Sequence, residues 1–510
     1  MSRRAVVGAI IIVAWLAGLA VLVRREYFRP QIERLAEAAL RVNPGVTYYG
    51  VMQRGQQIGF ASSTIDTTTT SITVRDYLVA DLPVGGQRRR ASATTNVTLS
   101  RALRMRDFEL SVDAEGPPLR ANGRVEGDSV LLLTIAMGTE KPDTQRIALD
   151  GPILLPTLVP LAIALGEQPK VGKEFNLPVF DPKSMGRKDI AFQIGAESLF
   201  VLNDSAVFDS SAARWRGTLP DTIRAWQILA DTTGGFSGWI DEQGRIVQTS
   251  QLGFELERLP YAVAFENWRI QSAQRAAVSP DRDILETTAI AANKRLQRDV
   301  KRLRVRLWSV SLSGFDLNGQ RQRLSLDTLI VLRESDSALA ASYSLPAGGR
   351  LLDRQHTRKE PLIQSEAPAI RSLARRIVGA ERDPRRAAEM INAWVHDSLE
   401  KRITFGVPNA LHVLQTRSGD CNEHTQLFVA LARAAGIPTR IAAGLVYVDG
   451  KFYYHAWPEV RLADWTAVDP TFGQFPADAA HLRFVLGGLA QQAELLRLMG
   501  NLRIDVLDMQ

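Results

Sequence analysis

Apolar and polar residues alternate through most of the first half of this chain. The stretches Tyr48–Arg54, Gln57–Ser63, Ser71–Val79, Ser92–Leu99, Met105–Asp113, Arg120–Glu126 and Ser129–Met137 follow the two-residue period of strands buried on one face. Gly55, Gly116-Pro117-Pro118, Gly123 and Gly127 punctuate them. The alternation returns near Asp189–Ile194, Ser198–Leu202, Ala206–Asp209, Ala225–Ala230, Gly235–Ile240 and Ile246–Leu256, with Asp241-Glu242-Gln243-Gly244 as a hairpin turn. Residues 47–275 are therefore read as a β-rich domain built on a curved antiparallel sheet. Gly151–Leu165 is largely apolar, but Pro152, Pro156 and Pro160 argue against a membrane span there.

Further along, the period lengthens. Residues 276–364 read as a connecting region: a helix over Ile284–Arg302, then strands over Val305–Leu312 and Ser325–Arg333. Residues 365–510 form a second domain, opening with helices near 369–379 and 384–400. After Cys421 the residues Leu427, Phe428, Leu431 and Ala435 recur at helical spacing, and Gly436 followed by Pro438 stops the helix. Two strands, 441–448 and 452–462, meet at the tight-turn dipeptide Asp449-Gly450. A third runs from Trp465 to Asp469.

The N-terminus has a different pattern. Ala5–Val23 is 19 residues without a charge, flanked by Arg3-Arg4 and Arg24-Arg25. As a helix it spans ~28 Å, close to the thickness of a bilayer's hydrocarbon core. Residues 1–25 are read as an uncleaved single-pass anchor rather than a signal peptide, and 26–46 as a juxtamembrane helix. The basic residues after the span argue for a cytoplasmic body. A chain with a single thiol is safe outside the cytoplasm, and the expectation is an extracytoplasmic body. Net charge is +7, and of 62 basic residues only ten are lysine. These charges are dispersed, without a zinc-finger, helix-turn-helix or RNA-binding pattern, which excludes a specialised nucleic-acid reader and suits an anionic lipid or wall surface.

Cys421 is the only cysteine among 510 residues. Asp420 before it is a good N-cap, and Glu423 completes an Asp version of the capping box. The thiol then falls on the first helical residue, where free N–H groups and the helix dipole favour a thiolate. His455 and Trp457 point to one face of the following hairpin. With a three-residue connection at Leu462–Asp464, Trp457 would pair with Asp469 and His455 would be its diagonal neighbour, close enough for a carboxylate to hold an imidazole. A thiol, an imidazole and a carboxylate in this order are the parts of a nucleophilic triad. Cys421 and His424 also have a C-x-x-H spacing, with His455 as a third ligand and His412 or His481 as a fourth. No second cysteine supports that set, and neither metal nor cofactor is expected.

Gly419-Asp420-Cys421, the run Leu431–Arg440, His455-Ala456-Trp457 and Asp469-Pro470-Thr471 together resemble the transglutaminase-like superfamily of bacterial proteins. The resemblance covers about residues 365–487. It implies a papain-like core in which Cys421 is the nucleophile, His455 the base and Asp469 the orienting acid. It also implies amide or peptide chemistry through an acyl-thioester, on a protein or peptide substrate. Gln415, six residues before Cys421, matches the spacing of papain's oxyanion glutamine, and Trp457 could shield the imidazole–carboxylate bond. The expected fold class is thus α+β: an N-terminal transmembrane helix, a β-rich middle region and a C-terminal papain-like transglutaminase core. The competing reading is an envelope interaction module that keeps this fold without chemistry. The presence of all three triad residue types speaks against it.

Overall fold

The computed structural model describes residues 42–510, apart from 139–141, 167–168, 183, 231–236, 252, 275–282, 320 and 405–406. Fourteen strands form one antiparallel sheet. Eight of them, Gly45–Gln53 to Asp143–Ala148, run as a meander from the sheet centre to one edge. The chain then crosses to the other edge at Glu174–Asp181 and returns through five more strands, ending at Phe254–Arg258. Gly45–Gln53 pairs with Phe254–Arg258 and joins the two halves.

The crossing segment explains the apolar, proline-containing stretch. Pro156 opens a short 3-10 helix and Pro160 is the second residue of the helix Val159–Gly166. Both sit in a first turn, where a missing N–H removes no intrahelical bond. Leu155, Leu158 and Leu161 pack on Ile72, Val97, Leu99 and Leu131 of the sheet. Beside them lies a cavity of about 480 Å³, bordered by Ile65, Val74, Leu161, Phe192 and Leu256.

Among the described residues the C-terminal half has two larger sheets and the short parallel pair Glu400–Lys401 with Ser418–Gly419. Arg302–Trp308, Gln322–Ser325, Thr328–Leu332 and Arg503–Met509 make one, in the order 322–325, 328–332, 302–308, 503–509. The other is ordered Ile290–Ala291, Lys451–Arg461, Thr439–Val448, His481–Leu486, with Trp465–Ala467 also pairing with 451–461. Helices Pro368–Val378, Pro384–Ser398, Ala410–Thr416 and Cys421–Ala435 pack beside it, and Ile370, Leu373, Ile391, Val395, Leu427 and Phe428 form their common core.

The expected fold class needs correction. The chain is mostly β, at 47% strand against 21% helix. Individual strands are longer than expected: Gly186–Asp209 alone has 24 residues. The expected transmembrane helix Ala5–Val23 lies outside the described residues, as does nearly all of the expected helix before residue 46. Among the described residues no helix is long and apolar enough to cross a membrane. The helix expected over Ile284–Arg302 stops at Thr288. The Thr288 hydroxyl turns back onto the Ile284 carbonyl at 2.7 Å, competing with the helix's own bonds. Ile290 then leaves the helical path to pair with Phe452 as an edge strand.

Candidate active site

The Cys421–Ala435 helix begins as its local sequence dictates. Asp420 is extended, and its Oδ1 accepts the Asn422 N–H at 2.8 Å. Glu423 Oε2 accepts the Asp420 N–H at 3.1 Å and closes the capping box. The glycine at 419 serves this box rather than a left-handed turn. A Cβ there would lie 2.2 Å from the Glu423 Cβ. The left-handed residue is Arg417, at φ 54°. One turn into the helix, Thr425 Oγ1 donates to the Ala456 carbonyl at 3.1 Å. The Ala456 backbone N–H also favours the charged form of the Cys421 thiol. Ala456 thus ties the helix to the strand that carries His455 and Trp457.

That strand belongs to a regular hairpin. Asp449 and Gly450 both have positive φ, and Val448 faces Lys451 across the turn. The third strand pairs Glu459 with Ala467, Val460 with Thr466 and Arg461 with Trp465. Carried on, that register sets Trp457 opposite Asp469. Val468 keeps it with an N–H to the Pro458 carbonyl at 3.0 Å.

Asp469 is fully buried and accepts four hydrogen bonds. Its Oδ2 takes His455 Nε2 at 2.7 Å and His481 Nε2 at 2.9 Å. Its Oδ1 takes the backbone N–H groups of Thr471 at 2.7 Å and Phe472 at 3.1 Å. The His455 ring is near-parallel to the Trp457 ring at 6.0 Å and to the Phe472 ring at 5.1 Å. Trp457 is completely buried, and its indole N–H has no partner among the described residues. The second ring nitrogen of His481, Nδ1, meets Asp478 Oδ1 at 3.0 Å.

Burial dominates the electrostatics, and the outcome at each group depends on its partners. Burial alone would raise the Asp469 carboxyl, but the charge and hydrogen bonds of His455 and His481 outweigh it and hold it far below the carboxylate range. For His481, burial lowers the imidazole, and its bonds to Asp469 and Asp478 more than reverse that. Asp420 is pushed well up by burial and by the adjacent Glu423 carboxylate. The Cys421 thiol is also pushed well up, first by its enclosure and then by Asp420, with Glu423 and Asp469 adding to it. The Ala456 N–H only partly offsets these. This is opposite to the thiolate bias expected from the helix N-terminus. Desolvation disfavours the charged thiolate first, and the capping carboxylates then repel it.

Gln415 is exposed on the last turn of the Ala410–Thr416 helix and takes no place in the buried cluster. His424 is buried and turns Nδ1 to the Asp420 carbonyl at 2.7 Å, so Cys421, His424 and His455 form no ligand set. Among the described residues the one trio with metal-ligand spacing is His455, Asp469 and His481. Every hydrogen-bonding atom of that trio except His455 Nδ1 is engaged as described above, and zinc normally takes four ligands with free lone pairs. Sequence reasoning weighed His481 only as a metal ligand and passed over Asp478 and Phe472. The Asp478-to-His481 spacing of three residues is the only local signal, and it is a weak one.

Residues 371–470 match the family model of the transglutaminase-like superfamily. No curated protein matches the chain. Among solved structures, a candidate cysteine protease from Cytophaga hutchinsonii is 15% identical, with 41% of this chain and 86% of that one covered and a TM-score of 0.27. A β-barrel-like protein of the DUF1849 group from Brucella abortus is 11% identical, with coverages of 43% and 97% and a TM-score of 0.28. A candidate protease from Parabacteroides distasonis is 10% identical, with coverages of 82% and 67% and a TM-score of 0.18. Scores this low carry no argument, so the assignment rests on the sequence match and the motifs within it. Residues 371–470, from within the Pro368–Val378 helix to Asp469-Pro470, are thus a transglutaminase-like superfamily segment.

Proposed function

We propose that this chain is a thiol acyl-transfer enzyme in which Cys421, His455 and Asp469 act as a triad on a carboxamide or peptide bond. The observation that carries the reading is the fully enclosed 2.7 Å bond from His455 Nε2 to Asp469. It fixes the tautomer, so the lone pair of His455 is on Nδ1. Trp457 and Phe472 hold the plane of the ring. Thr425, one turn after Cys421, donates to the carbonyl of Ala456, next in the chain to His455, at 3.1 Å.

The reaction follows from these positions. His455 Nδ1 takes the thiol proton as sulfur attacks the carbonyl carbon. The raised thiol means that this proton moves during attack rather than beforehand. The Cys421 backbone N–H, at the first residue of the helix, is the donor proposed for the oxyanion. Imidazolium then protonates the departing nitrogen, the C–N bond breaks and a thioester remains on Cys421. Water or an amine resolves it, with His455 again as base. Water makes the chain a peptidase or amidase, and an amine makes it a cross-linker. A protein or peptide is the proposed substrate.

The test uses a substrate-independent acyl donor. The full chain treated with p-nitrophenyl acetate should release p-nitrophenolate and gain one acetyl group on Cys421, read by mass spectrometry. Cys421→Ala should gain none, and His455→Ala should acylate far more slowly. A folded parent chain that never acylates at Cys421 would overturn the proposal in favour of a non-catalytic module.

A further inference from the structure

Asp469 is shared between two imidazoles. Besides His455, its Oδ2 accepts Nε2 of His481, which is fully buried at the start of the strand His481–Leu486. The other nitrogen of His481 meets Asp478 Oδ1. That second carboxylate is itself held as an acceptor: Oδ1 takes the Ala480 N–H at 3.0 Å, and Oδ2 takes the Gln474 amide at 3.3 Å. An ionised carboxylate has no proton to give. Both ring nitrogens of His481 must therefore donate, and a neutral imidazole carries only one N–H.

We infer that His481 is a standing imidazolium that bridges Asp469 and Asp478, and that it acts as a positioning residue for His455 through the carboxylate they share. This rests on the triad reading above. A carboxylate bonded to one imidazole alone acts on it with its whole charge. Here the charge of Asp469 is divided between two rings whose centroids are 5.8 Å apart. His455 is still oriented by the 2.7 Å bond, and the negative charge facing Cys421, already enlarged by Asp420 and Glu423, is kept down.

The surrounding charges leave this role to His481. Arg321 donates to the Asp478 carbonyl at 2.6 Å, but its guanidinium is paired with Glu334 at 3.3 Å. Arg483, two residues along the strand, is paired with Glu459 at 3.0 Å. Trp457 and Phe472 pack their rings against His481 and bring no charge. The alternative use of the trio is a metal site. The two are mutually exclusive, because an imidazole protonated on both nitrogens has no lone pair for a metal.

Two measurements on the full chain test the inference. In spectra of protein labelled with nitrogen-15 in its six histidines, one ring should keep both N–H protons from about pH 6 to about pH 9, well above the ordinary histidine range. That signal should vanish in His481→Gln. A His481 that carries one ring proton at neutral pH overturns the inference, as does stoichiometric zinc in the parent chain that the variant loses. Should His481→Gln fail to fold, the parent spectrum still decides, assigned through variants of the other histidines. In a folded variant, removing one positive charge must raise every proton affinity in the cluster. The pH profile of Cys421 alkylation by iodoacetamide should move up by on the order of one unit. An unmoved profile refutes the positioning role. Failure of the triad reading is distinguishable: the parent chain would then not acylate at Cys421, while the doubly protonated ring would persist.

Discussion

Changing Asp469 to Asn separates the chemistry of the site from its architecture. The amide keeps an oxygen for the Thr471 and Phe472 N–H groups, now at 2.7 and 3.1 Å. Its NH₂ then occupies the Oδ2 position, where both imidazoles donate in the parent chain. The two amide protons can be satisfied only if both rings turn acceptor at Nε2. His455 must then carry its proton on Nδ1, the nitrogen the mechanism needs free, and His481 must give up a proton. Two charge-assisted bonds, worth roughly 1.5–3 kcal/mol each, become neutral ones worth about 1. The variant should lose on the order of 2 kcal/mol, which for a domain of this size lowers the melting temperature by roughly 4–8 °C. The sign with pH follows from the depressed carboxyl. Asp469 contributes stability above its unfolded pKa, about 3.9, and loses it as pH falls through the lower folded value. The gap in melting temperature should therefore be open at neutral pH and narrow below about pH 4. Acylation by p-nitrophenyl acetate should fall by about 10²- to 10⁴-fold, the upper figure being that of the equivalent change in a serine triad. An Asp469→Asn chain that melts near the parent and acylates at the parent rate refutes the assignment of Asp469.

Three further outcomes follow from particular contacts. Asp420→Asn keeps the N-cap but removes the charge that, after burial, does most to raise the thiol, so the alkylation profile of Cys421 should begin above the ordinary thiol range of about 8.5 and move down in the variant; a profile already at or below that range in the parent would refute the raised thiol. The same variant should melt higher than the parent at neutral pH and equally near pH 3, because the raised Asp420 carboxyl costs stability only once it ionises. Phe472→Ala removes one of the two faces that hold His455 at a position 43% exposed, so acylation should drop by up to about tenfold, the equivalent of one aromatic contact, with little change in melting; an unchanged rate would remove Phe472 from the site. Leu161→Ala borders the cavity of about 480 Å³, where little can collapse to fill the gap, and should cost about 3 kcal/mol by denaturant titration while leaving Cys421 acylation intact.

Much of the site could be read from the sequence because its parts are local. The capping box spans four residues, and the bonds that close it run between them. Asp449-Gly450 can form one kind of turn well, and that turn sets the hairpin pairing from Thr439 to Val460. The next connection was also legible. Asp464 caps it from within, accepting the Trp465 N–H at 2.9 Å and the Arg461 guanidinium at 3.0 Å. What could not be read depends on burial or on strands brought in from elsewhere. The N-terminal position of Cys421 suggests a thiolate, whereas the desolvation that pushes the thiol up, ahead of the Asp420 and Glu423 charges, is a property of the packed domain. The extent of the large sheet and the early end of the helix at Thr288 likewise depend on partners distant in sequence, such as Phe452 for Ile290.

His481 shows why such residues escape. Its strand pairs with 439–448 on the side away from His455's strand, with His481 opposite Val446 and His455 opposite Gly444. The two histidines thus flank one strand, and the glycine at 444 lets them do so. A Cβ there would lie 2.0 Å from the Leu482 carbonyl oxygen, so any larger residue would push the strand beginning at His481 away. The consequence can be tested without touching a titratable group. Gly444→Ala should move His481 off Asp469 while leaving Asp469, Asp478 and His455 in the chain. If His481 acts through the shared carboxylate, this variant should reproduce the upward shift of the His481→Gln alkylation profile, provided circular dichroism shows the fold intact. A folded Gly444→Ala chain with the parent profile would mean that the second imidazole fills space beside the triad and does not set its charge.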